Sequence, residues 1–299
     1  MDIVLTLVVN PDNAQTYEKA KSVFIETLAG SAHTENILSQ DCAVDILFDA
    51  PSPDAVTSQI KANLNDIEGL DWCLQPDGPH RRKSMLIADM DSTMITVECI
   101  DELADFVGLK EKVSLITEAA MRGELDFEDA LRERVALLAG LKETDLQTCF
   151  DARIQVMSGA KTLVRTMKKN DAYAALVSGG FTFFTERVAQ DIGFDTHRAN
   201  ILEIKDAQLS GRVIEPICGA ATKLEALHDY CQQLGINNTD VIAVGDGAND
   251  IPMINAAGLG VAYHAKPKTA AAAQAAIRYG DLTTLLYFQG YRENEFITA

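Results

Sequence analysis

Two aspartates two residues apart directly follow a short apolar run of the sequence. Asp89 and Asp91 lie in the segment DMDST at residues 89–93, after the apolar residues 85–88. In extended backbone, side chains two residues apart point the same way, so both carboxylates face one place. One carboxylate can attack phosphorus and form an acyl-phosphate, while the other protonates the departing oxygen and then activates water. Because such a pair is also common in loops, it is by itself a weak indication of phosphoryl transfer.

A second acidic cluster follows another apolar run. Residues 245–250 read GDGAND and come after the apolar residues 241–244. Asp246 and Asp250 offer the hard oxygen ligands that suit Mg²⁺, which binds one or two carboxylates together with phosphate oxygens. The alternative is a tight turn in which Asp and Asn are solvated turn formers. The apolar strand predicted directly before the segment favours the functional interpretation.

Two shorter signals have the chemistry to bind a phosphate. Residues 178–180 (SGG) end an apolar run and precede a predicted helix, and a hydroxyl with backbone N–H groups at a helix start binds phosphate. Lys223 lies near the start of another predicted helix, where an ammonium can neutralise a transferring phosphoryl group. Alone, each signal is weak, since plain turns and solvated lysines are far more common.

The elements that must position these residues alternate between strands and helices. This alternation predicts right-handed crossovers and an α/β fold with a Rossmann-like, doubly wound, mostly parallel sheet. In such a sheet ligands bind beyond the carboxyl ends of the strands, where Asp89, Ser178 and Asp246 fall. The predicted strands are residues 85–88, 172–177, 241–244 and 259–263. The alanine-rich residues 269–277 are predicted to be helical.

The pattern divides the chain into two domains. Residues 1–76 are predicted to form a small N-terminal α+β domain, and residues 77–84, which contain Gly and Pro, a linker. Residues 85–299 form the larger domain, with a helical insertion at about 97–157. The elements predicted in the first domain are strands at 3–9, 43–48 and 70–74 and helices at 13–29 and 55–65.

Composition excludes several classes of protein. The 299 residues carry 44 acidic and 26 basic side chains, a net charge of −18, which disfavours a nucleic-acid surface. Six cysteines without CxxC spacing indicate reduced thiols in a reducing compartment. The N-terminus lacks the basic region of a signal peptide, and no apolar run is long enough to span a membrane. We therefore expect a cytoplasmic protein without nucleic-acid or membrane partners.

Taken in order, the four motifs resemble those of the haloacid dehalogenase superfamily. The resemblance covers about residues 85–295 and implies that Asp89 is the nucleophile and Asp91 the general acid and base. It implies a Mg²⁺ ion held by the Asp89 carboxylate, the Asp91 backbone carbonyl and Asp246, and it makes the insertion at 97–157 a cap. The residues that it assigns to the phosphate are Ser178, Gly179, Lys223 and Asn249, with Asp250 in a supporting role.

Within that superfamily, the sequence resembles the phosphoserine phosphatase family. The resemblance implies hydrolysis of O-phospho-L-serine to serine and phosphate through an aspartyl-phosphate, as the last step of serine biosynthesis. It makes Glu98 the partner of the substrate ammonium and Arg134 a fork for its carboxylate, and Met121 and Phe127 shield the closed site. By spacing alone, an ion pair of Arg134 with Glu133 or a neighbouring carboxylate within one helix would be preferred. Further matching segments are residues 121–127 and 134–138.

Alternative functions and the role of the first domain stay open at this stage. The same chemistry can transfer the phosphoryl group to another alcohol, such as homoserine, and a vestigial catalytic domain would leave an amino-acid-sensing binding protein. The strand and helix pattern of residues 1–76 resembles ferredoxin-like, ACT-type regulatory modules. No ligand-binding signature is visible there, so a structural role or a homodimer through this domain is equally open.

Overall fold

The computed structural model of the protein describes residues 2–9, 14–27, 32–121 and 125–298. The strands within these ranges are β1 (Asp2–Val9), β2 (His33–Ser39), β3 (Ala43–Asp49), β4 (Leu70–Pro76), β5 (Met85–Ala88), β6 (Tyr173–Phe181), β7 (Thr196–Lys205), β8 (Gln208–Ile214), β9 (Val241–Gly245), β10 (Leu259–Tyr263) and β11 (Ala275–Ile277). The helices are α1 (Ala14–Thr27), α2 (Pro53–Leu64), α3 (Cys99–Phe106), α4 (Lys110–Met121), α5 (Phe127–Ala136), α6 (Glu143–Arg153), α7 (Ala160–Lys169), α8 (Thr182–Ile192), α9 (Ala220–Leu234), α10 (Ile251–Ala256), α11 (Pro267–Ala272) and α12 (Thr284–Phe288).

The strands form one sheet in the order β2-β3-β1-β4-β11-β10-β9-β5-β6-β7-β8. From β11 to β7 each strand is parallel to its neighbours, and β8 folds back antiparallel on β7. From β5 the chain first builds β6 and β7 on one side and then returns to build β9 and β10 on the other. The direction of winding therefore changes between β5 and β9, where open α/β sheets bind ligands. The predicted doubly wound α/β fold is confirmed.

Burial on both faces explains why the central strands are continuous apolar runs. All four residues of β5 are fully buried. Leu86 and Ala88 pack into the core that contains α7 and α8, whereas Met85 and Ile87 pack into the core that contains α9. Successive side chains of a strand point to opposite faces, so both must be apolar when helices cover the two sides. The strand ends therefore meet at one edge, where the polar motifs lie.

The first four strands and two helices form a compact N-terminal unit. Its order is strand-helix-strand-strand-helix-strand, and its antiparallel neighbours are β2-β3-β1-β4, which is the ferredoxin-like arrangement. An ACT-type role for this unit stays a prediction. Strand β2 was not predicted, because this edge strand has the sequence HTENILS and leaves most of its residues at the surface.

The alanine-rich segment differs from its prediction. Residues 269–277 were expected to be one helix, but α11 ends at Ala272 and Ala275–Ile277 is a strand. This strand pairs in parallel with Val261–Tyr263, and Ala276 pairs with Trp72 of β4 on its other side. Pairing on two sides outweighs the helix propensity of alanine. The short strand thereby joins the N-terminal unit to the parallel sheet.

Buried polar contacts reinforce this junction. The carboxylate of Asp71, which is 1% exposed, accepts hydrogen bonds from the backbone N–H groups of Arg278 and Gly280, both at 2.7 Å. Arg81 Nη2 lies 2.6 Å from Asp45 Oδ1, and the side chain of Asp45 is fully buried. Within the described ranges none of the helices has the length and apolar character needed to cross a membrane. All six cysteines are buried free thiols.

Replacing Arg81 by Ala is expected to lower the free energy of unfolding by about 3–5 kcal/mol, because it leaves the buried Asp45 carboxylate without its cation. Arg82→Ala is the matched control, since Arg82 pairs with Glu295 at the surface with 44% of its side chain exposed. The control should cost about 1 kcal/mol. Urea denaturation of both variants measures the difference, and equal losses would contradict the structural role of the buried pair.

Candidate active site

Lys223 lies at the centre of the polar cluster. Its side chain is fully buried, and its ammonium lies 2.6 Å from Asp89 Oδ1 and 2.6 Å from Asp250 Oδ1. Burial acts to lower the pKa of Lys223, but the two carboxylates outweigh it and raise the pKa above its usual value. Asp89 Oδ1 also accepts the N–H of Met90 at 2.8 Å. These contacts fix the Asp89 carboxylate at the end of β5.

Three carboxylates gather around that single ammonium. Asp89, Asp246 and Asp250 each offer an oxygen within 4.8 Å of the others. Burial, and then repulsion from Asp250, raise the pKa of Asp89 well above its usual range and that of Asp246 to about 6. Burial and mutual repulsion strongly disfavour the charged forms of these carboxylates. The cluster therefore fits a divalent cation, which would balance the excess negative charge. The structure therefore brings together an acidic cluster with the donor atoms of a metal site.

Asp250 is already engaged within this cluster. Its Oδ1 accepts from Lys223, and its Oδ2 accepts from the backbone N–H of Gly247 at 3.0 Å. Asp89 Oδ1 is likewise engaged by Lys223 and Met90, so a cation would be held by Asp89 Oδ2 and the Asp246 carboxylate. Thr93 Oγ1 donates to Asp246 Oδ1 at 3.4 Å and helps to orient it. Asp250 thus fixes the position of the Lys223 ammonium and of the turn at Gly247.

Asp91 has the properties of an acid that stays protonated near neutral pH. It is 9% exposed, and its Oδ1 has no hydrogen-bond partner among the described residues. Burial, and then the carboxylate of Glu98, raise the pKa of Asp91 to about 8. The next residue, Ser92, has a φ angle of 57°, the left-handed conformation that turns the chain sharply out of the strand end. The raised pKa favours the protonated form of the Asp91 carboxyl group near neutral pH.

The Ser-Gly-Gly segment approaches this pair from β6. Ser178 is 1% exposed, and its Oγ accepts the N–H of Gly180 at 2.8 Å. A methyl group on Gly180 would lie 3.0 Å from Asp91 Oδ2, so glycine allows the backbone to pass beside the acid. The strand runs on to Phe181, with an irregular register after Val177. The helix α8 therefore begins at Thr182, directly after this strand.

The cap contributes two charged residues on the other side of the site. Glu98 immediately precedes α3 and is exposed, and its Oε1 accepts a hydrogen bond from Ser92 Oγ at 2.8 Å. Arg134 is a half-buried residue of α5 whose Nε donates to Ala130 O at 3.1 Å. Burial lowers the pKa of Arg134, while the nearby carboxylates of Asp101, Glu98 and Asp91 act in the opposite direction. The charges of Arg134, Glu98 and Asp91 are thus close enough to act on one another.

An aromatic side chain of the cap covers the glycines of the site. Methyl groups placed on Gly179 and Gly219 would lie 3.2 Å and 3.3 Å from ring atoms of Phe127. The ring therefore packs directly on both backbone segments. Asn249 is half-buried in the turn after Gly247, beside the acidic cluster. Of the predicted residues, the side chain of Met121 lies outside the described part of the chain.

The sequence is similar to a known protein family and to individual proteins of named activity. Residues 86–255 match the family model of haloacid dehalogenase-like hydrolases. A phosphoserine phosphatase from Polaromonas sp. (strain JS666) is 46% identical over 207 residues, which cover 68% of this chain and 88% of that protein. The match includes most of that protein, so the likeness extends well beyond the four short motifs.

Structural comparison gives the same result. The probable phosphoserine phosphatase from Vibrio cholerae, in unliganded form, has a TM-score of 0.77 and 33% identity and covers 96% of this chain and 86% of that chain. A phospho-aspartyl intermediate analogue of phosphoserine phosphatase has a TM-score of 0.65 and 38% identity, covering 69% of this chain and 99% of that chain. A whole phosphoserine phosphatase is therefore matched by about two thirds of this chain.

Proposed function

The chain belongs to the haloacid dehalogenase-like hydrolase family, and on that basis we propose that it hydrolyses O-phospho-L-serine to serine and phosphate. The observation that carries this proposal is that the buried residues Asp89, Asp91 and Lys223 lie within electrostatic reach of the half-buried Arg134 and the exposed Glu98. Asp89, Asp91 and Lys223 suit phosphoryl transfer. Arg134 and Glu98 match the carboxylate and the ammonium of an amino acid. The similarity to phosphoserine phosphatases supports the same substrate.

Asp89 is the nucleophile in this proposal. One of its carboxylate oxygens attacks phosphorus, and the bond from phosphorus to the serine oxygen breaks, which leaves an aspartyl-phosphate. The hydrogen bonds from Lys223 and Met90 hold the carboxylate in one orientation, and the ammonium offsets charge on the transferring group. The phospho-aspartyl intermediate analogue of a similar phosphoserine phosphatase supports an adduct of this kind.

Asp91 carries the proton in both half-reactions. In its protonated form it gives a proton to the departing serine oxygen. The resulting carboxylate then takes a proton from water, whose oxygen attacks phosphorus, and the bond to Asp89 breaks to release phosphate. A pKa near 8 before the reaction suits an acid that must be protonated at neutral pH.

A divalent cation completes the site, and we propose Mg²⁺. The residues that would hold it are Asp89, Asp246 and the backbone carbonyl of Asp91. When bound, it would neutralise the carboxylates and the phosphate oxygens so that an anion can approach the acidic cluster. Asp250 keeps Lys223 in place at the same time.

Residues of the cap bind the amino-acid part of the substrate. The guanidinium of Arg134 matches the planar geometry of a carboxylate, and Glu98 offers an anion for the ammonium. Ser178, Gly179, Lys223 and Asn249 are proposed to hold the phosphate, with Phe127 closing over the glycines. Because Asp89 and Ser178 are almost fully buried, the cap must move away to admit the substrate.

Replacing Arg134 by Ala is expected to lower kcat/KM for phosphoserine by about 100-fold, because a bidentate pair with the substrate carboxylate is lost. The same variant should change kcat/KM for 4-nitrophenyl phosphate, which has no amino-acid group, by less than about threefold. Arg132→Ala is the matched control, since Arg132 lies on the same helix but pairs at the surface with Glu128 and Glu215. Equal losses on both substrates would reject the carboxylate role.

A phosphate-release assay tests the function as a whole. Purified protein with Mg²⁺ should release phosphate from phosphoserine without any added alcohol, and chelation of the metal should stop the release because the acidic cluster then repels the substrate. Conversion of phosphoserine to serine only in the presence of homoserine, with phosphohomoserine formed in place of free phosphate, would favour a phosphotransferase instead. Intact phosphoserine after incubation would favour a binding protein. The domain boundaries and a homodimer through the N-terminal unit stay predictions.

A further inference from the structure

A buried asparagine connects two segments of the site that are far apart in the sequence. Asn200 lies in β7 and is 1% exposed. Its Nδ2 donates to Gly179 O at 2.8 Å and to Cys218 O at 3.2 Å, and its Oδ1 accepts from Cys218 N at 2.7 Å. Gly179 belongs to the Ser-Gly-Gly segment, and Cys218 lies directly before Gly219, from which α9 starts. One amide group therefore joins the phosphate segment to the helix that carries Lys223.

The contact with Gly179 fixes the position of the Ser178 hydroxyl. In a trans peptide the N–H points away from the C=O. When Asn200 holds the carbonyl of Gly179, the N–H of Gly180 is directed to the opposite side, and there it donates to Ser178 Oγ at 2.8 Å. Because Oγ already accepts one hydrogen bond, its own proton is available for an acceptor such as a phosphate oxygen.

The contacts with Cys218 fix the other side of the site. Both backbone polar groups of Cys218 are satisfied by the same amide. The next residue, Gly219, accepts the N–H of Lys223 in the first turn of α9. A shift of Cys218 would therefore move the start of this helix and, with it, the ammonium between Asp89 and Asp250. The Phe127 ring packs on both segments that Asn200 joins.

We infer that Asn200 is a positioning residue that sets the distance between the Ser178 hydroxyl and the Lys223 ammonium, and thereby the fit of the phosphate group. This inference rests on the proposed function. Asn200 acts through Gly179 and Cys218 and does not contact the reacting atoms. It should therefore affect every phosphate ester alike, in contrast to Arg134, which distinguishes phosphoserine from other esters.

The test compares Asn200→Ala with a buried amide far from the site. Gln289→Ala is the matched control, because Gln289 is also 1% exposed, accepts from Lys83 N at 3.1 Å and donates to Leu285 O at 3.0 Å. Asn200→Ala should lower kcat/KM for phosphoserine and for 4-nitrophenyl phosphate by the same factor, about 10- to 100-fold, because small misplacements cost this much. Inhibition by inorganic phosphate should weaken with it, while Gln289→Ala should lose stability without losing either property.

Each result is decisive. Wild-type kinetics and phosphate inhibition in folded Asn200→Ala would overturn the inference, as would equal losses of activity in both variants at equal loss of stability. If Asn200→Ala does not fold, Asn200→Ser takes its place, since its hydroxyl can still accept from Cys218 N. Failure of the wild-type protein to release phosphate would instead reject the proposed function, so the two failures are distinguishable.

Discussion

Asp89→Asn is expected to lower phosphate release from phosphoserine by about four orders of magnitude or more, because an amide cannot form the acyl-phosphate. The fold should survive. Burial raises the pKa of Asp89 well above its usual range, so the carboxylate is poorly solvated there, and Lys223 keeps Asp250 as its partner. The unfolding midpoint should therefore change little or rise.

A surface substitution of the same type controls for this experiment. Asp105 lies in the cap helix α3 and pairs at the surface with Arg153. Asp105→Asn should keep kcat within about twofold of wild type, since an exposed pair contributes little. Turnover by Asp89→Asn at the level of this control would remove Asp89 as the nucleophile. Unfolding of Asp89→Asn would show that its charge is needed for stability.

Lys223→Met should impair both stability and catalysis. It leaves Asp89 and Asp250 as buried carboxylates without a cation, which should cost about 3–5 kcal/mol in the free energy of unfolding when measured with a chelator present. Phosphate release should fall by about 10³-fold, because the charge that stabilises the transferring group is lost. Urea denaturation and steady-state kinetics measure the two effects separately.

The double variant Lys223→Met/Asp250→Asn separates the two roles of the lysine. Neutralising Asp250 as well should recover part of the lost stability, because one of the two unpaired buried carboxylates disappears while Asp89 stays unpaired. It should not recover activity, since the phosphate still lacks its cation. A double variant as active as wild type would contradict the catalytic role of Lys223, and a stable Lys223→Met would contradict the ion-pair account.

The positions of the candidate site residues could be predicted because phosphoryl transfer requires particular side chains at strand ends. Asp89 after β5, Ser178 in β6 and Asp246 after β9 lie at one edge of the sheet, as the alternation of strands and helices predicted. The apolar runs before them are buried on both faces, so their pattern is clear. Fold class and family followed from the same features.

Residues that act through contacts across the sheet could not be predicted in the same way. The only sequence signal of Asn200 is an asparagine in a strand, where this residue type is disfavoured. The sequence assigned Asp250 a supporting role but did not show that it holds Lys223, which lies 27 residues away along the chain. The strand β11 was predicted to be helical, because its alanines adopt the strand only through pairing with β10 and β4. In each case the deciding partner is distant in sequence.

The most direct test of the proposed mechanism is mass spectrometry of the protein quenched in acid during turnover of phosphoserine. We expect a mass increase of one phosphoryl group on the peptide that contains Asp89, and no such increase in Asp89→Asn. The adduct should disappear when the substrate is exhausted, because water hydrolyses it with the help of Asp91. Phosphoserine turnover with no phosphorylated enzyme at any quench time, or with the phosphoryl group on another residue, would contradict the mechanism.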